Sequence, residues 1–414
     1  MFEDRLRGML KRGIRKGALE VVFPSGREES FGDGSAPVAR VRVASEAAAR
    51  AVWLDPSLQF AEQYMDGNLI VERGELYDFL ALAKKNGARG FASAPAAMRE
   101  AGRALHRMLR RHVLPEQSKR NVAHHYDLDE RLFRLFLDAD LQYSCAYFET
   151  GEETLEEAQR KKKRHIAAKM HLEPGLRVLD IGCGWGGMGL YLAQVSGAEV
   201  LGVTLAEEQL RVANERAAAA GMADRAKFRL QDYREVQGTF DRIVSVGMFE
   251  HVGPHHFEEY FRQIERLLAP GGVAVIHSIV RQKPNRADPP FVEKYIFPNG
   301  HIPSLGETFP AIEKTKLLVK DVEILTMHYA DTLRDWRRRF HENREEALKL
   351  YDERFFRMWD LYLITSEISF RFGKLANFQI ILTKRHDEAP RSRAFIGEAE
   401  ARLEAAERAA GIAA

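Results

Sequence analysis

Three glycines, Gly182, Gly184 and Gly186, follow an apolar run that carries an acidic residue: Val178-Leu179-Asp180-Ile181-Gly182-Cys183-Gly184-Trp185-Gly186-Gly187. A helical pattern (Met188, Leu190, Tyr191, Leu192, Val195) begins directly afterwards, so the stretch reads strand, tight turn, helix. Glycines at this spacing let backbone approach a ligand with no Cβ in the way. Dinucleotide sites use a similar turn, and G-x-G alone does not separate the two uses. Two details do. Asp180 precedes the first glycine, where its carboxylate can orient the loop or meet a cationic group. The next strand, 199–203, ends in Thr204-Leu205-Ala206, not in the acidic residue that an NAD ribose takes. Thr204 and Gln209 offer a hydroxyl and an amide to a ribose, and Thr204 can also cap the following helix. At the end of a third strand Asp232 can accept an adenine amino group, with Tyr233 placed to stack on the ring. The fourth strand runs into Met248-Phe249-Glu250-His251-Val252-Gly253. Glu250 and His251 suit a general acid/base pair, or a helix-start carboxylate beside a packed histidine. By themselves His277, inside the apolar run 273–280, reads as a core histidine, and Cys145 as a buried small residue with nothing nearby to activate it.

These residues need a scaffold that brings strand ends together. Strands are expected at 177–181, 199–203, 226–230, 240–246, 272–279 and 377–383, with helices around 187–196, 207–220 and 256–268. Such alternation predicts an α/β fold, a doubly wound, mostly parallel sheet with ligands at the C-terminal strand ends. D-x-G-x-G after a strand resembles the S-adenosylmethionine (SAM) loop of Rossmann-like class I methyltransferases. Residues 1–117 read as a smaller α+β domain, with strands at 18–23 and 38–43 and helices near 47–53, 57–64 and 76–85. A catalytic domain then spans 118–390, interrupted by an insertion, 281–375, with long helical patterns at 331–349 and 352–371. The tail, 391–414, is rich in Ala, Glu and Arg and reads as a solvated charged helix.

With 414 residues, 45% hydrophobic and 29% charged, the chain has the composition of an ordinary globular protein. Its net charge of +2 leaves any basic surface to local clustering. Two cysteines, Cys145 and Cys183, make no disulfide framework and no zinc pattern. No apolar run reaches the roughly 18 residues of a spanning helix, and the N-terminus lacks a signal-peptide core. A cytoplasmic protein is therefore the expectation. Basic clusters lie at 5–16, 99–120 and 161–164, and all three suit an anionic lipid surface. The first sits around an apolar face at Leu6, Met9, Leu10 and Ile14, which suits either an anionic bilayer or a plain surface helix. The second lacks the interleaved aromatics that nucleic acid would want, so no nucleic-acid partner is expected.

Further blocks carry a family resemblance: Tyr143-Ser144-Cys145-Ala146-Tyr147-Phe148, Gly202-Val203-Thr204-Leu205, 248–253, Lys294-Tyr295-Ile296-Phe297-Pro298-Asn299-Gly300 and His328-Tyr329-Ala330-Asp331-Thr332-Leu333. In order and over most of 121–385, the chain resembles cyclopropane-fatty-acyl-phospholipid synthases and the related mycolic acid cyclopropane synthases. The N-terminal block Phe60-Ala61-Glu62-Gln63-Tyr64-Met65-Asp66-Gly67 is similar to that of the bacterial phospholipid-acting members. The resemblance implies methylene transfer from SAM to a cis double bond of a phospholipid acyl chain at the inner membrane surface, through a carbocation deprotonated by bound bicarbonate. It implies Cys145, Glu250, His277, Ile279 and Tyr329 around the bicarbonate, and Tyr143 and Ser144 beside SAM with Asp180, Gly182, Gly184, Gly186, Thr204, Gln209, Asp232 and Tyr233. It also implies peripheral membrane association and, from habit in the family, a homodimer. A fatty acid C-methyltransferase leaving a branched chain, a small-amine N-methyltransferase and a non-catalytic lipid binder are the alternatives.

Overall fold

The computed structural model describes residues 2–91, 93–109, 128–283, 289–298 and 300–412. The stretch His124-His125-Tyr126-Asp127, the basic residues Arg110, Arg111, His112, Lys119 and Arg120, and Asn299 lie outside the described residues. The chain divides into two compact units. Of the described residues, those within 2–109, 289–298 and 333–373 form one, and those within 128–283, 300–332 and 374–412 form the other. Two segments of the 281–375 insertion thus cluster with the N-terminal residues.

In the first unit β1 (Ala18–Val22), β2 (Glu28–Gly32), β3 (Val38–Val43) and β4 (Leu69–Arg73) form a sheet in the order β2-β1-β3-β4. The alternation of β3 puts Val41 and Val43 into a core, while Arg40 on the other face pairs with Glu28 on β2 and Glu72 on β4. Sequence reading missed β2 and β4. Both are charged and short, and cross-strand partners hold them more than their own propensity does. The helix Phe2–Gly13 buries Leu6, Met9 and Leu10 in the same core, so its apolar face is already covered by protein. The Phe60–Gly67 block also has work within this unit. Glu62 accepts from Lys294 Nζ (2.6 Å) and the Tyr295 hydroxyl (2.9 Å), and Asp66 accepts from Arg354 Nε (2.8 Å).

The second unit holds seven strands: β5 (Arg177–Ile181), β6 (Glu199–Thr204), β7 (Ala226–Leu230), β8 (Phe240–Val246), β9 (Leu268–Arg281), β10 (Leu318–Leu325) and β11 (Leu375–Thr383), in the order β10-β11-β9-β8-β5-β6-β7. β5 through β9 run parallel, and β11 and β10 add antiparallel to one edge. Strand order reverses between β5 and β8, so the ends of those two strands open the crevice where doubly wound sheets bind ligands. Apolar clusters fill the sheet's surroundings: Val178, Val200, Val244 and Val275 belong to one, Leu179, Ile181, Ile243 and Ile276 to another. Edge strand β10, with Lys320, Asp321 and Glu323, carries no clear apolar alternation and was not expected.

The C-terminal helix Ala394–Ala409 differs from its expectation. It packs Ile396, Ala399 and Leu403 into the core and buries Glu407 completely. Alanines at neighbouring positions disguise the stripe, and Glu407 is buried because Arg164 and the Tyr191 hydroxyl (2.6 Å) donate to it.

Candidate active site

The loop after β5 is tied to β6 by its own backbone: Gly182 and Cys183 N–H donate to the Val203 carbonyl at 2.9 and 3.0 Å. Its glycines serve two ends. At Gly186 (φ 81°) a Cβ would stand 2.9 Å from Ala213 and from the Phe228 ring, so packing requires it. At Gly184 (φ 53°) a Cβ would meet nothing within 4 Å. The loop there presents bare backbone in a left-handed turn, as close approach of a ligand needs.

Asp180 is 1% exposed, and its Oδ2 has no hydrogen-bond partner among the described residues. Burial pushes its carboxyl up to about 7, against the pull of Lys162 and of the Gly189 N–H. A buried carboxylate oxygen left open beside bare backbone fits a ligand bearing an amine or hydroxyl, as SAM does. At the end of β6 the Thr204 hydroxyl donates to Gln209 Oε1 (3.0 Å) and accepts the Ala206 N–H (3.2 Å). The two residues expected to act together are indeed neighbours. Thr204 is not the helix cap, however: the helix Glu207–Ala219 starts from Ala206, and the Thr204 hydroxyl closes the preceding turn. After β7, Asp232 caps the short turn Tyr233–Glu235 through the Arg234 N–H (3.0 Å) and also takes the Arg234 guanidinium (2.6 and 2.9 Å). Tyr233 packs edge-on to Tyr260, with ring centroids 5.6 Å apart.

Behind the loop, the basic run 161–164 turns out not to be a lipid-facing patch. In the helix Leu155–Lys169 the buried stripe includes Leu155, Ala158, Gln159, Lys162, Ile166 and Lys169, a helical spacing that fixes which lysines point inward. Lys162 is fully buried and donates to Gln142 Oε1 and Ser144 Oγ (2.8 Å). Gln159 Nε2 donates to the carbonyls of Gln142 (3.2 Å) and Ser144 (2.9 Å). Lys163 and Arg216 both hold Asp140, and although burial works the other way they keep its carboxyl at about 2. Arg164 goes to Glu407, and Lys161 to Glu149 (2.9 Å) and Glu153 (2.8 Å). Lys162, Lys163 and Arg216 thus clamp the segment that carries Tyr143 and Ser144. Tyr143 is then seated edge-on to Phe133 and Phe136, with centroids 5.3 and 6.2 Å away. Sequence reading missed Lys162, Gln142, Gln159 and Asp140. The spacing 155, 158, 159, 162, 166 and 169 was the signal that could have found the first and third.

Cys145 is fully buried, and burial pushes its thiol far above the usual range, so it is a neutral thiol and no nucleophile. The next residues are tied to the helix His328–Glu342: Ala146 N–H donates to Thr332 Oγ1 (3.0 Å) and Phe148 N–H to His328 Nδ1 (3.1 Å). Tyr329 lies in that helix's first turn, so Cys145 and Tyr329 sit on segments bonded to each other. At the end of β8, Glu250 Oε1 accepts the Ile279 N–H from β9 (2.7 Å), while the buried Oε2 has no partner among the described residues. Burial raises the Glu250 carboxyl to about 6, opposed by the Ile279 N–H, by its own N–H and by the Ser278 hydroxyl. Burial lowers His251 to about 4, so it is neutral at neutral pH. His277 is 1% exposed between Gln379 (3.1 Å at Nδ1) and Asn377 (3.3 Å at Nε2). Burial first, then the cations Lys162 and Lys169, push it well below the usual range. Among the described residues no cluster of metal-ligating side chains is present.

A family model described as mycolic acid cyclopropane synthetase matches residues 114–380. The chain belongs to this family. A second model, for a domain of unknown function, matches residues 6–93. The cyclopropane-fatty-acyl-phospholipid synthase of Escherichia coli (strain K12) is 36% identical over 356 residues, 85% of this chain and 89% of that one. A probable fatty acid methyltransferase of Pseudomonas putida is 36% identical over 270 residues, 64% of this chain and 68% of that one. A solved mycolic acid cyclopropane synthase, complexed with SAH and CTAB, aligns with a TM-score of 0.61 and 32% identity over 64% of this chain and 97% of that one. The seven-stranded sheet is thus the class I SAM-dependent methyltransferase fold, and the protein is a SAM-dependent enzyme of the cyclopropane synthetase family.

Proposed function

We propose that the protein is a cyclopropane-fatty-acyl-phospholipid synthase, adding a methylene from SAM to the cis double bond of an unsaturated phospholipid acyl chain. The observation that carries this reading is the extent of the likeness to the Escherichia coli synthase. At 85% of the chain, it leaves too few residues unmatched to omit either compact unit. SAM, when bound, supplies an electrophilic methyl. Bare backbone at Gly184 and the open oxygen of Asp180 would receive its methionine end, with Gly182 and Gly186 shaping the turn that presents them. Tyr143 and Ser144, held by Lys162, would stand beside them, and Thr204, Gln209, Asp232 and Tyr233 would take the nucleoside. An alkene is a weak nucleophile, so the protein must contribute positioning and an electrostatic setting that tolerates a cation. The buried carboxylates of Asp180 and Glu250 and the ring faces of Tyr143 and Tyr233 suit that demand.

Bicarbonate, when bound, supplies the base in this reading, held by the Cys145 backbone, Glu250, His277, Ile279 and Tyr329. Glu250 Oε2 supports it, because a buried acceptor with no donor fits an anion that brings its own hydroxyl. The Ile279 N–H is already given to Glu250, so its part is to orient that carboxylate.

We read the protein as cytoplasmic and peripheral to the inner membrane surface. Among the described residues no helix is long and apolar enough to cross a membrane. Exposed Met98 and Leu105, two turns apart on the helix Ala94–Leu109 with Arg99 beside Met98, support a lipid-facing surface there.

The second reading, a fatty acid methyltransferase, is favoured by the equal identity of the Pseudomonas putida relative. One incubation decides between them: SAM with vesicles of cis-monounsaturated phospholipid, then mass analysis and proton NMR of the fatty acids. A gain of CH2 with ring-methylene signals is expected. Vinyl signals, or CH2 plus two further hydrogens, would establish the branching reaction instead, and unchanged lipid would refute both.

A further inference from the structure

We propose that Lys169 and Gln379 fix the tautomer of His277, holding its proton on Nε2 so that this imidazole is a hydrogen-bond donor and not a base. Strand register lines up the participants. Glu323 on β10 lies opposite Gln379 on β11, and Gln379 lies opposite His277 on β9, so the three side chains form one row across the sheet. Lys169, at the end of the helix Leu155–Lys169, caps the row. Its Nζ donates to Gln379 Oε1 (2.7 Å) and pairs with Glu323.

An ammonium only donates, so the Gln379 oxygen must face Lys169 and its NH2 must face His277 Nδ1, 3.1 Å away. An amide NH2 also only donates, so Nδ1 must be the unprotonated, accepting nitrogen. The ring is neutral, pressed that way by burial and by Lys162, Lys169, His165 and His328, and its one proton is left for Nε2. A second observation agrees. Asn377 stands 3.3 Å from Nε2, and its Oδ1 is a buried acceptor without a partner among the described residues. A half-turn of that amide puts Oδ1 on the Nε2 proton and satisfies both groups. The Nε2–H thus has Asn377 as its partner in the resting protein and is offered to an oxyanion when one is bound. Lys169 and Gln379 are positioning residues. Their consequence for turnover rests on the reading of His277 as a site residue, but the tautomer itself does not.

The test is nitrogen NMR of the full chain labelled with 15N-histidine, with His277 assigned from the spectrum of His277→Gln. In the wild type the pyridine-like nitrogen is expected at Nδ1. Lys169→Arg, which keeps a donor, should retain this pattern. In Gln379→Glu a carboxylate faces Nδ1, the proton should move there, and turnover should fall on the order of 10- to 100-fold with the SAM KM little changed. A wild-type proton on Nδ1, or an unmoved proton in Gln379→Glu, would overturn the proposal. A reversed tautomer with unchanged turnover would uphold the lock and instead remove His277 from the reaction.

Discussion

The ends of β5 and β9 solve one problem by opposite means. At β5 the groups of the loop come from a single stretch, 180–186, and are mostly backbone; its one side chain in play, Asp180, keeps an oxygen open and is pulled from outside the stretch by Lys162 alone among side chains. At β9 the groups come from β8, β9, β10, β11 and the helix Leu155–Lys169, and nearly all are side chains held by other side chains. Yet each end keeps one buried carboxylate oxygen with no partner among the described residues, Asp180 Oδ2 and Glu250 Oε2. Burial raises both carboxyls, to about 7 and about 6. A local turn and a five-element assembly thus arrive at the same unfavourable feature, which a folded protein keeps where a ligand offsets it.

Glu250→Gln breaks the β9 end most directly. The amide keeps the bond from Ile279 but loses the charge and the open acceptor. We expect turnover to drop roughly 10²- to 10⁴-fold, the span of a lost acid/base contribution, while calorimetry shows SAM bound as before. In the wild type, turnover should also decline as pH falls through about 6, where Glu250 takes up its proton. Retained activity in the variant would take Glu250 out of the chemistry.

What the sequence made legible follows the same division. The glycine loop, Asp180 and the strands from β5 to β9 were readable because each is specified within about ten residues by period and by turn chemistry. Glu250, His277 and Cys145 were visible as residues, but their company was not. Register pairs β9 with β11 at positions about a hundred residues apart and β10 with β11 at positions about sixty apart, and β10 itself was hidden by its charges. The run 161–164 is the sharpest case. Four cations in a row suggested a surface, whereas helical period sends Lys162 inward and folding supplies acidic or polar partners for the rest. Charge tells which partners a residue wants, and the fold decides where they are.

Glu407→Ala probes what the two ends share, since the helix Leu155–Lys169 supplies Lys162 to one and Lys169 to the other. Removing Glu407 leaves Arg164 without its buried carboxylate and the Tyr191 hydroxyl without its acceptor. Breaking a buried pair on one side costs about 3–5 kcal/mol, so the melting temperature should fall sharply; a loss under about 1 kcal/mol would mean that water replaces the carboxylate there. Gly202→Ala should act on the β5 end alone. Its Cβ would stand 2.5 Å from the Phe228 ring and 2.9 Å from Cys183 Cβ, an overpacking worth about 1–3 kcal/mol. SAM affinity should weaken with it, because Cys183 lies inside the loop. Undiminished affinity would show that the loop adjusts independently of β6.

The smallest effect is the most discriminating. Asp180→Asn removes the carboxylate that burial disfavours. The folded-state pKa of Asp180, about 7, lies above the ordinary aspartate value of 3.8, so the folded protein holds this proton more tightly than the unfolded chain. The stability contributed by the protonated form is complete below the unfolded pKa and is lost as pH rises through 7. Asparagine has no such loss. Stability curves of wild type and variant should therefore run parallel near pH 4, separate between 4 and 7, and stay apart by roughly 1–3 kcal/mol in favour of the variant above that. SAM binding should be lost in the same protein. Gain of stability with loss of ligand is the signature of a group kept for function at the fold's expense. A variant that is destabilised at pH 8 would instead make Asp180 a structural carboxylate, and the likeness between the two strand ends would fail there.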